Sequence, residues 1–229
     1  MVRKKISKKT KTKLTKVKSK KTKKARKPTA KKLKFKKIEG VYATTQNVVV
    51  SADIHRDLPL EKLATKLERA EYNPEQFPGL ILKMDVPKAS ALLFSSGKII
   101  CTGTKSIREA RKAIDAIVKK LEAISLKVTG KPDIKVQNMV ASGSVGGKLN
   151  LNEIVFKFEN TEYEPEQFPG LVYKLPEDER LPGARITFLL FGTGKIVITG
   201  AKSEREIIES VYILRDQLIK GGELHKKKK

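Results

Sequence analysis

The stretch Glu-Tyr-Asn-Pro-Glu-Gln-Phe-Pro-Gly-Leu-Ile-Leu-Lys at residues 71–83 returns as Glu-Tyr-Glu-Pro-Glu-Gln-Phe-Pro-Gly-Leu-Val-Tyr-Lys at residues 162–174, with 10 of 13 positions identical. A second pair of segments, 92–106 and 189–203, agrees at 10 of 15 positions. The offset is 91 residues for the first pair and 97 for the second, so the later copy holds six extra residues, which we place within 176–183. Two tandem copies predict two similar halves related by a pseudo-twofold axis.

Each copy predicts the same order of elements. A strand, at 45–54 or 135–143, precedes a short helix whose apolar residues recur at helical spacing. The Pro-Gly segment is a turn, and the strands after it are joined by a Gly-Lys hairpin. A long helix closes each copy behind a Ser-x-x-Glu capping box that begins at Ser106 or Ser203. Helices on one side of an antiparallel sheet define an α+β fold.

Charge divides the chain of 229 residues, whose net charge is +25, into unequal parts. Residues 1–37 hold 20 basic residues and no acidic one, and residues 226–229 are all Lys, whereas 38–225 hold 26 basic and 25 acidic residues. We therefore predict a disordered Lys-rich tail at 1–37, repeats at 38–130 and 131–225, and a basic end at 226–229. Such a tail favours contact with nucleic acid over a solubilising or targeting role.

Several function classes are excluded by what the chain lacks. The sequence has no run of eighteen apolar residues, which a membrane span would require. It also has no apolar segment after the basic start, which a secretory signal would require. One Cys and two His predict neither a disulfide framework nor a metal site, and we expect no cofactor. The segment 192–195 lacks the remaining residues of a phosphate loop, and the row Ser51, Asp53, His55 points in parallel rather than converging. We therefore expect no enzyme activity.

Alternation along the strands predicts two different sheet faces. In residues 47–51 and 98–102, Val48, Val50, Ile99 and Cys101 point to one face, which is purely apolar. The other face mixes β-branched residues with Asn, Thr, Ser and Lys, and both copies repeat it. Its members are Asn47, Val49, Ser51, Lys98, Ile100 and Thr102 in the first copy, and Asn138, Val140, Ser142, Lys195, Val197 and Thr199 in the second.

The mixed face matches the chemistry of a DNA minor groove. Adenine N3 and thymine O2 accept hydrogen bonds there, so an Asn amide or a Thr hydroxyl can donate to them, while Val and Ile exclude the amino group of guanine. The alternative, a solvated sheet face, is favoured for a single strand but less for four strands matched across two copies.

Four Phe residues lie at chain reversals: Phe77, Phe94, Phe168 and Phe191. An aromatic ring in a Pro-Gly turn gains little from burial, and a Phe wedge can enter a base step and kink a duplex from the minor-groove side. The alternative is that each packs into the core, which we expect of Phe156, Phe158 and Phe188.

These motifs resemble the TATA-box-binding proteins, general transcription factors of archaea and eukaryotes. The resemblance covers about residues 41–222 and rests on Gln-Asn-x-Val, Glu-Tyr-x-Pro-Glu-Gln-Phe-Pro-Gly-Leu, Leu-Leu-Phe-x-x-Gly-Lys and Thr-Gly-x-Lys-Ser, each present twice. It implies a saddle of ten curved antiparallel strands with four helices on the convex face. The Glu-Gln-Phe-Pro-Gly form of both turns resembles the archaeal members, which implies a cytoplasmic, nucleoid-associated protein, or a nuclear one in a eukaryote.

The resemblance also implies roles for individual residues. Phe77 with Phe94, and Phe168 with Phe191, are similar to the intercalating pairs by which this family is known to kink DNA. Asn47 and Asn138 match the central donors to base edges, with Thr102 and Thr199 beside them. The apolar floor corresponds to Val49, Ile100, Val140 and Val197, and the mixed face adds Lys98 and Lys195.

The second Pro-Gly turn is more acidic than the first, since Glu164 stands where the first copy has Asn73. Carboxylates beside DNA are repelled by phosphates unless they point outward, where they are available to a cationic protein; the alternative is that they are simply solvated. The turn resembles the docking site for transcription factor B, which implies that Glu164, Glu166 and Gln167 bind that partner within the RNA polymerase pre-initiation complex.

The favoured function is therefore recognition of A·T-rich core-promoter DNA without catalysis. Two alternatives stay open: an architectural chromatin protein that bends DNA without sequence preference, and an enzyme that carries a saddle-like accessory domain.

Overall fold

The computed structural model describes residues 38–224, so the predictions for the tail at 1–37 and for the basic end at 226–229 lie outside the described residues. The first copy contains β1 (Val41–Asp53), α1 (Leu60–Lys66), β2 (Ala70–Glu71), β3 (Leu80–Met84), β4 (Ala89–Leu93), β5 (Lys98–Thr104) and α2 (Ile107–Ala123). The second contains β6 (Asp133–Val145), α3 (Leu151–Lys157), β7 (Thr161–Glu162), β8 (Leu171–Lys174), β9 (Thr187–Leu190), β10 (Lys195–Ala201) and α4 (Glu204–Lys220). The predicted α+β class is confirmed.

All ten strands form one antiparallel sheet whose order reads β2-β3-β4-β5-β1-β6-β10-β9-β8-β7. The order is the same from either end when the two copies are exchanged. The copies meet where β1 pairs with β6, with Val48 opposite Met139, Asn47 opposite Val140 and Val49 opposite Asn138. The predicted pseudo-twofold axis therefore passes between β1 and β6.

The apolar face of the sheet lies under the long helices. Helix α2 contacts β1 and β5, and α4 contacts β1, β6 and β10. Both copies contribute to one continuous hydrophobic core, in which Val48, Val50, Ile99 and Cys101 are fully buried, as alternation predicted. This shared core places the mixed face of the sheet on the side away from α2 and α4.

Both predicted capping boxes are present. The hydroxyl of Ser106 accepts a hydrogen bond from the Glu109 N–H at 3.2 Å, and Ser203 does the same for the Glu206 N–H. Each Glu carboxylate in turn accepts the backbone N–H of the residue before the Ser, Lys105 in the first copy. The caps fix where α2 and α4 leave the ends of β5 and β10.

The central strands are longer than predicted, and each contains a β-bulge. Gln46 has no partner in the register between β1 and β6, and neither does its counterpart Gln137. The extra residue reverses the alternation of side chains between the two faces. Tyr42 and Thr44 therefore lie on the mixed face, although counting in twos from Val48 would place them on the apolar face. The first predicted strand, which began at residue 45, did not include either residue.

One of the three Phe residues expected in the core is outside it. Phe188 is fully buried and Phe158 packs edge-on against Tyr173, with ring centroids 5.8 Å apart, but Phe156 is 87% exposed. Helix α3 buries Leu151 and Ile154, and a residue two positions beyond Ile154 points away from that face. The expectation for Phe156 was wrong for this reason.

Candidate nucleic-acid interface

The mixed face of the sheet, here called the open face, presents the residues that the sequence predicted. Along the central strands these residues are half-buried, whereas the residues beside them that point to the other face, Val48, Cys101, Met139 and Ile198, are fully buried beneath the helices. The half-buried set comprises Asn47, Val49, Ile100, Thr102, Asn138, Val140, Val197 and Thr199. The sheet thus brings the predicted polar donors and the predicted apolar floor together on one surface.

Each central Asn is held in one orientation by the backbone. The Gly103 N–H donates to Asn47 Oδ1 at 2.8 Å, so the amide nitrogen must point the other way. Asn47 Nδ2 then donates one hydrogen to Thr102 Oγ1 at 3.0 Å. The second Nδ2 hydrogen stays available, while the Thr102 hydroxyl also lies 3.2 Å from Asn47 Oδ1 and can donate to it.

The second copy repeats this arrangement closely. The Gly200 N–H donates to Asn138 Oδ1 at 2.8 Å, and Asn138 Nδ2 donates to Thr199 Oγ1 at 3.1 Å. Gly103 and Gly200 both have φ of +93°, a conformation that glycine adopts without strain. The glycine of the Thr-Gly motif therefore orients the Asn amide, a role that sequence reasoning missed although its repetition in both copies was a signal.

The bulged glutamines form a second symmetric pair of contacts that sequence reasoning also missed. Gln46 Nε2 donates to Ser142 Oγ at 2.7 Å, and Gln137 Nε2 donates to Ser51 Oγ at the same distance. Each bond joins one copy to the other across β1 and β6. The two bonds fix the register at the centre of the open face, and the repeat of Gln-Asn at an offset of 91 was their only sequence signal.

The four Phe residues form two pairs, one at each end of the sheet. The ring centroids of Phe77 and Phe94 are 6.0 Å apart with planes inclined at 64°, and those of Phe168 and Phe191 are 6.0 Å apart at 67°. Phe77 is 37% exposed and Phe168 is 44% exposed, so neither belongs to the core. The alternative of four core residues is therefore wrong for these two rings.

Glycine makes room for each Phe pair. A Cβ atom on Gly79 would lie 2.7 Å from the Phe77 ring, and one on Gly170 would lie 2.5 Å from the Phe168 ring. Both distances are far below ordinary contact, which explains why the Phe-Pro-Gly segment is identical in the two copies. The rings are thus held on a fixed backbone.

The two predicted lysines of the face are exposed but differ in their contacts. Lys195 Nζ donates to the Tyr42 hydroxyl at 2.5 Å and lies 5.0 Å from the centre of that ring. Lys98 pairs in register with Asp53 on the neighbouring strand. Tyr42 was not predicted as part of the face because the bulge at Gln46 conceals its direction.

The acidic turn predicted to bind a partner is exposed. Glu164, Glu166 and Gln167 are all on the surface, and Gln167 Nε2 donates to the Glu164 carboxylate. The backbone closes the turn through bonds from the N–H groups of Gln167 and Phe168 to the Glu164 carbonyl, each at 3.0 Å. The turn therefore presents its carboxylates beside, and rigidly linked to, a Phe pair.

The part of the chain that the structure describes contains neither a membrane-spanning helix nor a cluster of metal-ligating side chains. No helix within residues 38–224 is long and apolar enough to cross a membrane. Within the same range no three His, Cys, Asp or Glu side chains come together in a way that would hold a metal ion.

Comparison with known proteins agrees with the repeat and with the fold. The model of the family described as "Transcription factor TFIID (or TATA-binding protein, TBP)" matches residues 43–124 and again residues 133–220. A TATA-box-binding protein of Archaeoglobus fulgidus is 47% identical over 175 residues, which make up 76% of this chain and 92% of that protein. One from Methanocaldococcus jannaschii is 47% identical over 178 residues, 78% of this chain and 94% of the relative.

A solved structure extends the likeness to three dimensions. The Methanococcus jannaschii TBP matches with a TM-score of 0.71 at 46% identity, covering 78% of this chain and 98% of that one. The predicted saddle, with ten antiparallel strands and four helices, is thereby confirmed.

Proposed function

The chain belongs to the TATA-binding protein family, and from this premise we propose that it binds the minor groove of A·T-rich promoter DNA through its open face. Members of this family are DNA-binding transcription factors and not enzymes. The observation that carries the proposal is the pair of Asn–Thr contacts, each oriented by a glycine N–H and flanked by β-branched side chains, repeated about the axis of the sheet.

The chemistry of the open face fits A·T pairs and disfavours G·C pairs. Each Asn–Thr contact leaves donor hydrogens, and the minor-groove edges of adenine and thymine carry only acceptors. The floor around these donors is apolar, so the amino group of guanine would be buried without an acceptor. Val49 and Val140 lie opposite Asn138 and Asn47 in the register, so donors and floor alternate at the centre of the interface.

The Phe pairs bend the duplex. Their rings stand at the two ends of the sheet on fixed turns, which places one apolar wedge at each end of a bound box. The rings of Phe77 and Phe168 are already more than one-third exposed, so they lose little packing when they enter a base step. Insertion at both ends unstacks two steps and kinks the DNA away from the protein, as the family is known to do.

Each repeat binds one half of the box, with the first repeat at 38–130 and the second at 131–225. The exposed carboxylates of Glu164 and Glu166, with Gln167, recruit transcription factor B, and the bent complex nucleates the RNA polymerase pre-initiation complex. The relatives compared above are archaeal. We therefore place the protein at the nucleoid, in the cytoplasm.

The test compares an A·T-rich with a G·C-rich duplex by fluorescence anisotropy, using the parent chain and the variants Val49→Ala and Val140→Ala. The parent should prefer the A·T-rich duplex, and both variants should lose part of that preference because a smaller floor admits the guanine amino group. Val48→Ala and Met139→Ala, on the buried side of the same strands, are the matched controls and should keep the preference. Equal affinity of the parent for both duplexes would instead describe a protein that bends DNA without sequence preference.

The Lys-rich tail adds DNA binding that does not depend on base sequence. It carries 20 basic residues, which can neutralise phosphates and release counterions. Removing residues 1–37 should weaken binding to A·T-rich and G·C-rich duplexes alike and flatten the dependence of log affinity on log salt. An unchanged salt slope would assign the tail to solubility or targeting.

A further inference from the structure

The two ends of the central strands carry different charges on the open face, although the repeat relates them. Three neighbouring strands contribute one residue each to the row at the first-repeat end: Lys98, Asp53 and Asp133. The symmetry-related row at the other end consists of Lys195, Ser144 and Tyr42. Two carboxylates therefore stand at one end where the other end has a hydroxyl and a phenol.

The fold does not need the negative charge of Asp53. Asp53 Oδ1 accepts the N–H of His55 at 2.8 Å, which closes the turn after β1. In the second copy Ser144 Oγ accepts the N–H of Gly146 at 3.2 Å and closes the same turn with an uncharged group. The carboxylate of Asp53 is thus an addition to a turn that a hydroxyl supports equally well.

Asp133 adds a second negative charge directly opposite the first. It pairs with Asp53 across β1 and β6, and like charges so placed repel each other. Its only ion pair within residues 38–224 is with Lys135, at 3.3 Å, and both side chains are more than half exposed. Such an exposed pair contributes little to stability, so packing does not explain Asp133 either.

The charged row lies where a DNA backbone would run. A strand rises about 3.3 Å per residue, so Asp53 is about 13 Å along β1 from Val49 at the centre of the floor. The minor groove of unbent DNA is only about 6 Å wide, so positions this far from the centre meet phosphates rather than bases. Tyr42 occupies the equivalent place against the opposite backbone, beside the buried Ser144.

We propose that Asp53 and Asp133 make the two halves of the DNA interface unequal by weakening the phosphate grip at the first-repeat end. This inference rests on the proposed function of the open face. Lys195, held by the Tyr42 hydroxyl, contributes its full charge to one backbone, whereas Asp53 and Asp133 offset the charges of Lys98 and Lys135 against the other. The protein therefore binds the DNA backbone more tightly at the second-repeat end, and dissociation begins at the first-repeat end.

The experiment measures affinity against KCl concentration for A·T-rich and G·C-rich duplexes with Lys98→Ala and Lys195→Ala, each in two backgrounds: the parent and D53S/D133N. In the parent, Lys195→Ala should reduce the slope of log affinity on log salt by about 0.9, the value for one phosphate contact, and Lys98→Ala by clearly less. In D53S/D133N the two substitutions should cost the same, and overall affinity should rise for both duplexes.

Equal costs of the two Lys substitutions in the parent, or unchanged affinity of D53S/D133N, would overturn the inference. Urea unfolding of each variant checks the fold, and Asp133→Asn alone, at a side chain 57% exposed, serves if the double variant unfolds. Every duplex carries the same phosphates, so the difference between Lys98→Ala and Lys195→Ala can be measured with either the A·T-rich or the G·C-rich duplex. Loss of A·T preference with the asymmetry intact would count against the proposed function and leave this inference standing.

Discussion

The two copies of the repeat are alike at the centre of the open face and at the Phe pairs, and different behind the sheet. On the open face Asn, Val, Thr and Phe recur at matching positions with nearly equal distances. Behind the sheet, the loop between β3 and β4 spans residues 85–88, while the loop between β8 and β9 spans 175–186. In the longer loop Arg180 binds both Asp178 and Asp216 of α4, and it holds the pKa of Asp178 below its usual range.

The long helices differ in the same way. Lys112 is exposed on α2, but its counterpart on α4, Glu209, is 2% exposed and one of its carboxylate oxygens has no partner among the described residues. A ligand with near-twofold symmetry, such as a DNA duplex, constrains both copies equally. Protein partners lack that symmetry, so the surfaces that meet them are free to diverge. Similarity at the centre of the open face and divergence elsewhere are what the proposed DNA-binding function predicts.

The largest expected effect separates a partly buried Phe from a core Phe three residues away. Phe188→Ala should lower the free energy of unfolding by about 3–5 kcal/mol, because its ring is fully buried. Phe191→Ala should leave the unfolding free energy nearly unchanged and sharply reduce DNA bending, measured by fluorescence transfer between duplex ends.

The matched variant in the first copy is Phe94→Ala, which should reproduce the result for Phe191→Ala at the other end of the box. If Phe191→Ala destabilises the fold as strongly as Phe188→Ala, the ring is structural and the wedge assignment is wrong for that residue. If only one of the two wedge variants loses bending, the symmetry of the open face does not extend to function.

The next effect concerns the oriented Asn amides. Asn47→Asp keeps the acceptor for the Gly103 N–H but removes both amide hydrogens, so the fold should persist while A·T-rich DNA binds about 1–3 kcal/mol more weakly. Asn138→Asp should behave alike. Asn152→Asp, exposed on α3, introduces the same charge away from the face and controls for it. Comparable losses from Asn152→Asp would attribute the effect to charge alone.

Alternation, capping and turn chemistry were sufficient to predict the faces of β5, the starts of α2 and α4 and the turns that hold the Phe residues, because each depends on residues close in sequence. The bulge at Gln46 was not predictable in this way, since it is defined by the partner strand. Tyr42 was therefore missed. The orientation of Asn47 was missed for a related reason, because its determinant is the N–H of Gly103 on another strand.

A smaller effect contrasts the two Pro-Gly turns. Glu164→Lys with Glu166→Lys should weaken a ternary complex with transcription factor B about tenfold, since both carboxylates are exposed on a rigid turn. Affinity for DNA alone should change by no more than about twofold, because exposed side chains that point away from the duplex interact weakly with its phosphates through water and salt. Gel-shift titration with and without the partner measures both quantities.

The counterpart substitutions in the first copy, Asn73→Lys with Glu75→Lys, form the control. They should leave the ternary complex intact, because the partner is assigned to the second turn alone. Equal weakening by both pairs of substitutions would mean that the partner responds to overall charge, and an intact ternary complex with the second-turn variant would refute the docking assignment.

The smallest expected effect distinguishes Cys101 from Ile198, which occupies the matching position on β10. Burial raises the pKa of the Cys101 thiol to about 11, well above its value of about 8.5 in an unfolded chain. Since the folded state holds this proton more tightly, the thiol contributes full stability below about pH 8 and loses it as the pH rises towards 11. Between pH 7 and pH 9 this thiol should lower the free energy of unfolding by about 1 kcal/mol. Cys101→Val should not show this contribution to the pH dependence. Urea unfolding of both proteins at the two pH values provides the measurement, and thiol labelling of the native parent should be slow. Rapid labelling, or identical pH dependence of the two proteins, would show that this part of the shared core opens to solvent, so that the copies differ in rigidity as well as in sequence.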